Sequence, residues 1–170
     1  AFGANISSSS NAEAFGANIS SSSNAEAFEA ANTDMIKTKV KNVAISTDII
    51  VGFPNETEEQ FNDTLDLVNE CKFDLAYTFI YSKRVGTPAE KMEDKVTLKE
   101  KEQRLYKLND LINKYALENN KKLENKILPV LVEAKSDKEG YLMGYSDTNK
   151  LINLKGPENT IGKIVNVKIL

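Results

Sequence analysis

The sequence contains no histidine, no tryptophan and a single cysteine among its 170 residues. Without histidine there is no Ser-His-Asp or Cys-His nucleophile system of the usual kind, no H-E-x-x-H zinc helix and no zinc finger. One thiol cannot close an internal disulfide or supply a three- or four-thiolate iron-sulfur site. Catalysis confined to this chain would have to use carboxylates, lysine, tyrosine or a borrowed cofactor. No apolar run approaches the ~20 residues that span a bilayer, and no charged-then-apolar leader is present. The expectation is a cytoplasmic protein with no membrane partner, in a compartment that keeps a lone thiol reduced.

What is present fits an ordinary protein of one or two domains: 28% charged residues, 41% hydrophobic residues and a net charge of -3. Residues 1–13, AFGANISSSSNAE, recur unchanged at 14–26, and eight of those 26 residues are serine. Two copies fall short of the three or so units by which repeat architectures bury a core. Two readings stay open for a segment taken as 1–33. It is a cloning-derived tandem copy, set apart from functional reasoning, or a short helical repeat in which Ser10 and Asn11 cap one A-E-A-F turn and Asn24 another.

From about Asn24 to Val40 the pattern predicts a helix with Phe28, Ala31, Met35 and Ile36 on one side. VAISTDIIV, 43–51, is β-branched, almost wholly apolar and stopped by Gly52-Phe53-Pro54, as suits a strand buried on both faces of a parallel sheet. Thr57-Glu58-Glu59-Gln60 is a capping box, and Phe61, Leu65 and Val68 follow at helical spacing to about residue 71. Cys71 continues that apolar side and reads as a buried core thiol. DLAYTFIYS, 74–82, makes a second strand, completing a right-handed strand-helix-strand unit.

A second capping box, Thr97-Leu98-Lys99-Glu100, opens a long helix to about Lys122, striped by Leu105, Leu108, Leu111, Ile112 and Tyr115. Beyond it, 127–133, 141–146, 150–156 and 164–170 read as short strands between Gly, Asn, Asp and Pro turns, the signature of a small barrel or sandwich. Residues 121–170 hold nine lysines against six carboxylates, while 1–120 hold 13 basic against 19 acidic residues. The β-rich part is therefore the anion-binding half.

Three stretches, ISTDIIVGFPNETEEQFNDTLDLV, TFIYSKRVGTPAEKM and TNKLINLKGPENTIGKIVNVKI, together resemble the methylthiotransferases of the radical S-adenosylmethionine superfamily, from about Ile36 to Leu170. The resemblance is strongest to the branch that modifies the adenosine beside the tRNA anticodon. It implies a C-terminal fragment: the end of an α/β partial parallel barrel at 34–96, a connecting helix at 97–123, and a small all-β, RNA-binding TRAM-like barrel at 124–170. In the intact enzyme a methylthio group is added to a modified adenosine by radical chemistry that uses S-adenosylmethionine and iron-sulfur clusters. The cluster cysteines are expected upstream, and Cys71 matches none of them. The fragment alone is therefore expected to be inactive, to bind no cofactor or metal, and to contain no catalytic residue of its own.

The same resemblance points to Asp48, Gly52, Phe53, Pro54 and Arg84 on the cofactor side, because ligands of parallel barrels gather at the C-terminal ends of strands. The bare alternatives are a strand-to-helix turn without a ligand and a solvated arginine. Asn55 stands where relatives usually have glycine, a change that the left-handed tolerance of asparagine accommodates. Lys83 and Val85 stand where prolines are common. For RNA the candidates are Asn149, Lys150, Lys155 and Lys163, with Lys168 on a neighbouring strand and Tyr141 and Tyr145 as either stackers or packing residues. Tyr145 and Asp147 replace arginines that are common in relatives.

The expected partners are tRNA and the missing N-terminal part of the same enzyme. Two parallel strands leave open faces and edges, so either homodimerisation through that surface or coverage by the N-terminal helical segment is expected. The rival functions are a ribosomal-protein methylthiotransferase of the same family and a non-catalytic RNA-binding module.

Overall fold

The computed structural model describes residues 22–170. The tandem copies up to residue 21, with the Ser10 and Asn11 caps, lie outside the described residues, as does the side chain of Phe28. The described chain divides into two compact units between Leu117 and Glu118.

In the first unit, Thr57 caps helix α2 (Glu58–Cys71): its hydroxyl accepts from the Gln60 amide while the Gln60 side chain accepts from the Thr57 amide. The helix ends at Lys72, which takes a left-handed conformation and donates its amide to Val68. This helix connects strands β1 (Ser46–Val51) and β2 (Leu75–Ile80), which pair in parallel with Asp48 opposite Tyr77 and Ile50 opposite Phe79. One face of the pair buries Val51 beneath Phe61, Leu65 and Val68 of α2 and beneath Leu108, Ile112 and Tyr115 of helix α3 (Leu98–Lys121). Burial of each such side chain contributes about 1.5–3 kcal/mol. Tyr115 closes this core by donating to Asn69 at 2.8 Å.

Two expectations are corrected here. The first strand is covered on one face only: Ile50, Tyr77 and Phe79 on the other face are 57%, 55% and 52% exposed. Nor does helix α1, the described part of the N-terminal segment, cover that surface. Helix α1 (Ser22–Lys39) packs on α2, with Ala30 and Thr33 buried, whereas Ala31 and Met35 are exposed. Small residues win this contact because they let the helix approach Cys71, whose thiol donates to Thr33 Oγ1 at 3.6 Å and whose carbonyl accepts from Lys37 Nζ. Asn24 lies inside α1 rather than ahead of it. Cys71 is 1% exposed, the core thiol that its helical position implies.

In the second unit, β3 (Ile127–Lys135), β4 (Leu142–Ser146), β5 (Leu151–Leu154) and β6 (Ile164–Lys168) form one antiparallel sheet in the order β5-β4-β3-β6. Val130, Val132, Leu142 and Leu154 are its buried centre. A bulge between Val132 and Ala134 shifts the register against β4. There Gly144 lies so close to β3 that a Cβ on it would stand 2.3 Å from the Leu131 carbonyl oxygen. The ladder runs from β5 to β6 as an open sheet, so the small barrel that was expected is not closed by strand pairing among the described residues. No helix among them is long and apolar enough to cross a membrane.

Candidate functional site

The turn that leaves β1 is braced from several sides. Gly52 has φ +73°, Asn55 has φ +65°, and Pro54 is buried between them. Asparagine tolerates this left-handed conformation better than most residues, so Asn55 can hold the turn. Gly52 donates its amide to Glu56 Oε2 at 2.9 Å, and Arg104 Nη1 donates to the same oxygen at 2.6 Å and to the Glu56 carbonyl at 3.0 Å. Both side chains of this ion pair are about nine-tenths buried. Phe53 meets Tyr81 edge to face, with centroids 5.1 Å apart.

Behind the turn runs Lys101, buried to 6% exposure, with its ammonium 2.5 Å from Asp94 Oδ2. Its stem occupies the space that a side chain at residue 52 would need: a Cβ there would lie 2.5 Å from Lys101 Cγ. The hydrogen bond from Lys101 is the main reason that the Asp94 carboxyl is held below its ordinary value of 3.8. A carboxyl whose folded value is lowered stabilises the fold above its unfolded value, and that contribution is lost as pH falls through the folded one. Glu100, which accepts from the hydroxyl and amide of Thr97, is lowered in the same direction. In urea titrations, Lys101→Met should therefore lower stability clearly at pH 6 and differ much less from the parent below pH 3. An equal loss at both values would show that the ion pair does not carry the effect.

Of the cofactor-side candidates, the structure brings Gly52, Phe53 and Pro54 together in this turn. Asp48 lies apart from them on the exposed face of β1 beside Tyr77. Arg84 has an exposed side chain, and its carbonyl accepts from Thr87 Oγ1 at 2.8 Å. Glu56, Lys101 and Arg104 were missed by sequence reading. The signal for the last two was present: 101, 104, 108, 112 and 115 share one helical stripe, with charges where apolar residues are expected.

On the β sheet the RNA candidates are spread rather than clustered. Asn149, with φ +58°, and Lys150 form the β4–β5 turn; Lys155 follows the far end of β5; Lys163 precedes β6, and its carbonyl accepts from the Val132 amide at 3.0 Å. The structure also separates the two tyrosines. Tyr145 belongs to a row across the outer face, paired with Leu131 and Leu151, with Ile164 opposite Leu131. Tyr141 instead has the Lys138 ammonium 4.3 Å and the Lys155 ammonium 5.4 Å from its ring centroid. Lys138 was not foreseen.

Among the described residues no group of three or more His, Cys, Asp or Glu is placed to hold a metal ion. With one thiol, buried against α1, the donor set of this chain does not fit an iron-sulfur cluster.

Residues 121–170 match the TRAM domain family, so the second unit is a TRAM domain joined to a parallel strand-helix-strand unit. Over 135 residues, 79% of this chain, the sequence is 53% identical with the tRNA-2-methylthio-N(6)-dimethylallyladenosine synthase of Bacillus subtilis. It is likewise 53% identical with that of Staphylococcus epidermidis and 51% with that of Bacillus cytotoxicus. Over that stretch the chain is similar to these synthases, and it spans about a quarter of their length, 26%.

Proposed function

We propose that the chain is the part of a tRNA methylthiotransferase that grips the tRNA and supplies one wall of the catalytic barrel. The observation that carries this reading is the identity of 51–53% over 135 residues, which runs through both units. The intact enzyme adds a methylthio group to a modified adenosine beside the anticodon. By the family resemblance, S-adenosylmethionine and iron-sulfur clusters supply the radical chemistry, and it takes place in the cytoplasm. The cluster thiolates come from outside these 170 residues, since one buried thiol cannot provide them.

Within that reading, 34–96 is the barrel part, 97–123 the connecting helix and 124–170 the RNA-binding part. Gly52, Phe53 and Pro54 form the cofactor-side turn, with Asp48 on the adjoining sheet face and Arg84 beyond the second strand. The buried Tyr81 hydroxyl, which has no hydrogen-bond partner among the described residues, belongs to the ring that meets Phe53 and offers this wall an unused polar group. The exposed Ile50, Tyr77 and Phe79 face the rest of the barrel or, in the isolated chain, a second copy. Asn149, Lys150, Lys155 and Lys163 serve the RNA.

Two measurements on the 170-residue chain test this. Its complex with tRNA should weaken steeply between 50 and 200 mM salt, by roughly 0.7–0.9 in log affinity per log salt for each phosphate neutralised. Reconstitution with iron and sulfide should yield no stoichiometric cluster and no reductive cleavage of S-adenosylmethionine. Absence of tRNA binding would overturn the proposed grip, and a functional cluster would overturn the placement of the chemistry elsewhere.

A further inference from the structure

We infer that Tyr141, Lys138 and Lys155 form a stacking subsite for one nucleotide of single-stranded RNA. The inference rests on the RNA-binding reading above and deepens it by saying where on the TRAM domain a base and its phosphate are held.

Tyr141 begins the chain's return from the β3–β4 turn: its amide donates to the Lys138 carbonyl and its carbonyl accepts from the Ser136 amide. That turn delivers Lys138 to the ring. Continuing the β4–β5 register past Leu142 opposite Leu154 places Lys155 across from Tyr141, so the second ammonium comes from the neighbouring strand. At 4.3 Å from the centroid, Lys138 stands over a ring face rather than at its edge. Neither lysine is in an ion pair among the described residues, although Asp137 and Glu139 flank Lys138 in sequence. The nearby Glu158 is taken by Lys135 at 2.7 Å.

A half-buried aromatic ring attended by two ammonium groups is suited to a ligand that brings a flat face and a negative charge together. A nucleotide does so: its base takes the ring face, and the long lysine side chains swing onto the flanking phosphates, releasing counterions. An acidic peptide would satisfy the lysines and leave the ring unused. One row along the same outer face, Met143 lies opposite Asn153, whose Oδ1 accepts from Ser136 Oγ at 2.5 Å, placing an amide beside the platform. Tyr145, in its apolar row, lacks the cations and takes no part in the subsite.

The test uses the full chain and fluorescence anisotropy with a short labelled single-stranded RNA. Tyr141→Ala should weaken binding roughly 5- to 100-fold, the range for loss of one base–aromatic stack. Tyr141→Phe, which keeps the π-face, should stay within about twofold. Lys138→Gln with Lys155→Gln, both exposed positions that leave the core untouched, should make the slope of log affinity against log salt shallower by about 1.4, that is ~0.7 for each of two phosphates.

Parent-like binding by Tyr141→Ala, equal losses in the Ala and Phe variants, or an unchanged salt slope would overturn the subsite while leaving RNA binding by the domain standing. Failure of the parent chain to bind any RNA would overturn the RNA reading and the subsite together. Binding of poly-glutamate with the same dependence on Tyr141 would replace RNA by an acidic peptide.

Discussion

Gly144→Ala is expected to dismantle the TRAM sheet, at a cost of about 3–5 kcal/mol, the upper end of single-substitution effects. The new Cβ would stand 2.3 Å from the Leu131 carbonyl oxygen, 2.9 Å from its carbonyl carbon and 2.9 Å from Val130 Cγ1. Two of those atoms are backbone, so no rotamer change relieves the overlap. The strands must separate, and β3 is the strand on which both β4 and β6 pair. Amide correlation spectra should show residues 127–168 losing dispersion while the signals of Ser46–Val51 and of Leu108–Tyr115 persist, and RNA binding should vanish with the sheet. A native-like spectrum for the second unit would mean that β3 and β4 do not approach so closely.

Gly52→Ala is expected to cost about 3 kcal/mol, from two sources that a double-mutant cycle separates. A non-glycine residue at φ +73° is strained by roughly 1–2 kcal/mol. Steric overlap with the Lys101 stem adds a further ~1–2 kcal/mol, within the range of overpacking. The atoms met are Lys101 Cγ at 2.5 Å, Cδ at 2.7 Å and Cβ at 3.1 Å, a stem rooted on the α3 backbone rather than the far end of a free side chain. In a Lys101→Ala background the overlaps with Cγ and Cδ disappear, leaving the backbone strain and a close Cβ contact at 3.1 Å. The two substitutions should therefore couple by about 1–2 kcal/mol in urea unfolding. Strict additivity would show that Lys101 does not occupy the space in front of Gly52.

This coupling arises because the brace on the β1 turn comes from helix α3. Arg104 holds Glu56, Glu56 holds the Gly52 amide, and Lys101 fills the space behind. The turn is therefore held by residues about 50 positions away in sequence, and a substitution in α3 would reach it without altering any residue of the turn.

Much of this architecture could be read from short-range signals. The Thr57–Gln60 capping box, the apolar spacing of Phe61, Leu65 and Val68, and the β-branched run ending at Gly52 each depend on residues within about four positions of one another. They found α2, β1 and β2 where the structure has them, apart from the strand ends. Alternation and turn residues likewise located the four strands of the TRAM sheet. The family motifs then joined these pieces to a chemistry that composition alone had excluded from the chain.

Long-range register decided the rest. Periodicity put Met35 on the buried side of α1, but Ala30 and Thr33 are buried there because α2 presents Cys71 and needs small neighbours. Local pattern gives no partner for Lys101 or Arg104, yet Lys101 is buried against Asp94 and the Arg104 side chain against Glu56 of the β1 turn. The two tyrosines four residues apart were equivalent in sequence. Cross-strand pairing gave Tyr145 three aliphatic companions in its row, whereas Tyr141 received one ammonium group from its own turn and another from across the ladder. Caps, strands and family depend on neighbouring residues and are written locally. Which lysine meets which partner depends on how strands and helices register across the fold, and only the tertiary structure settles that.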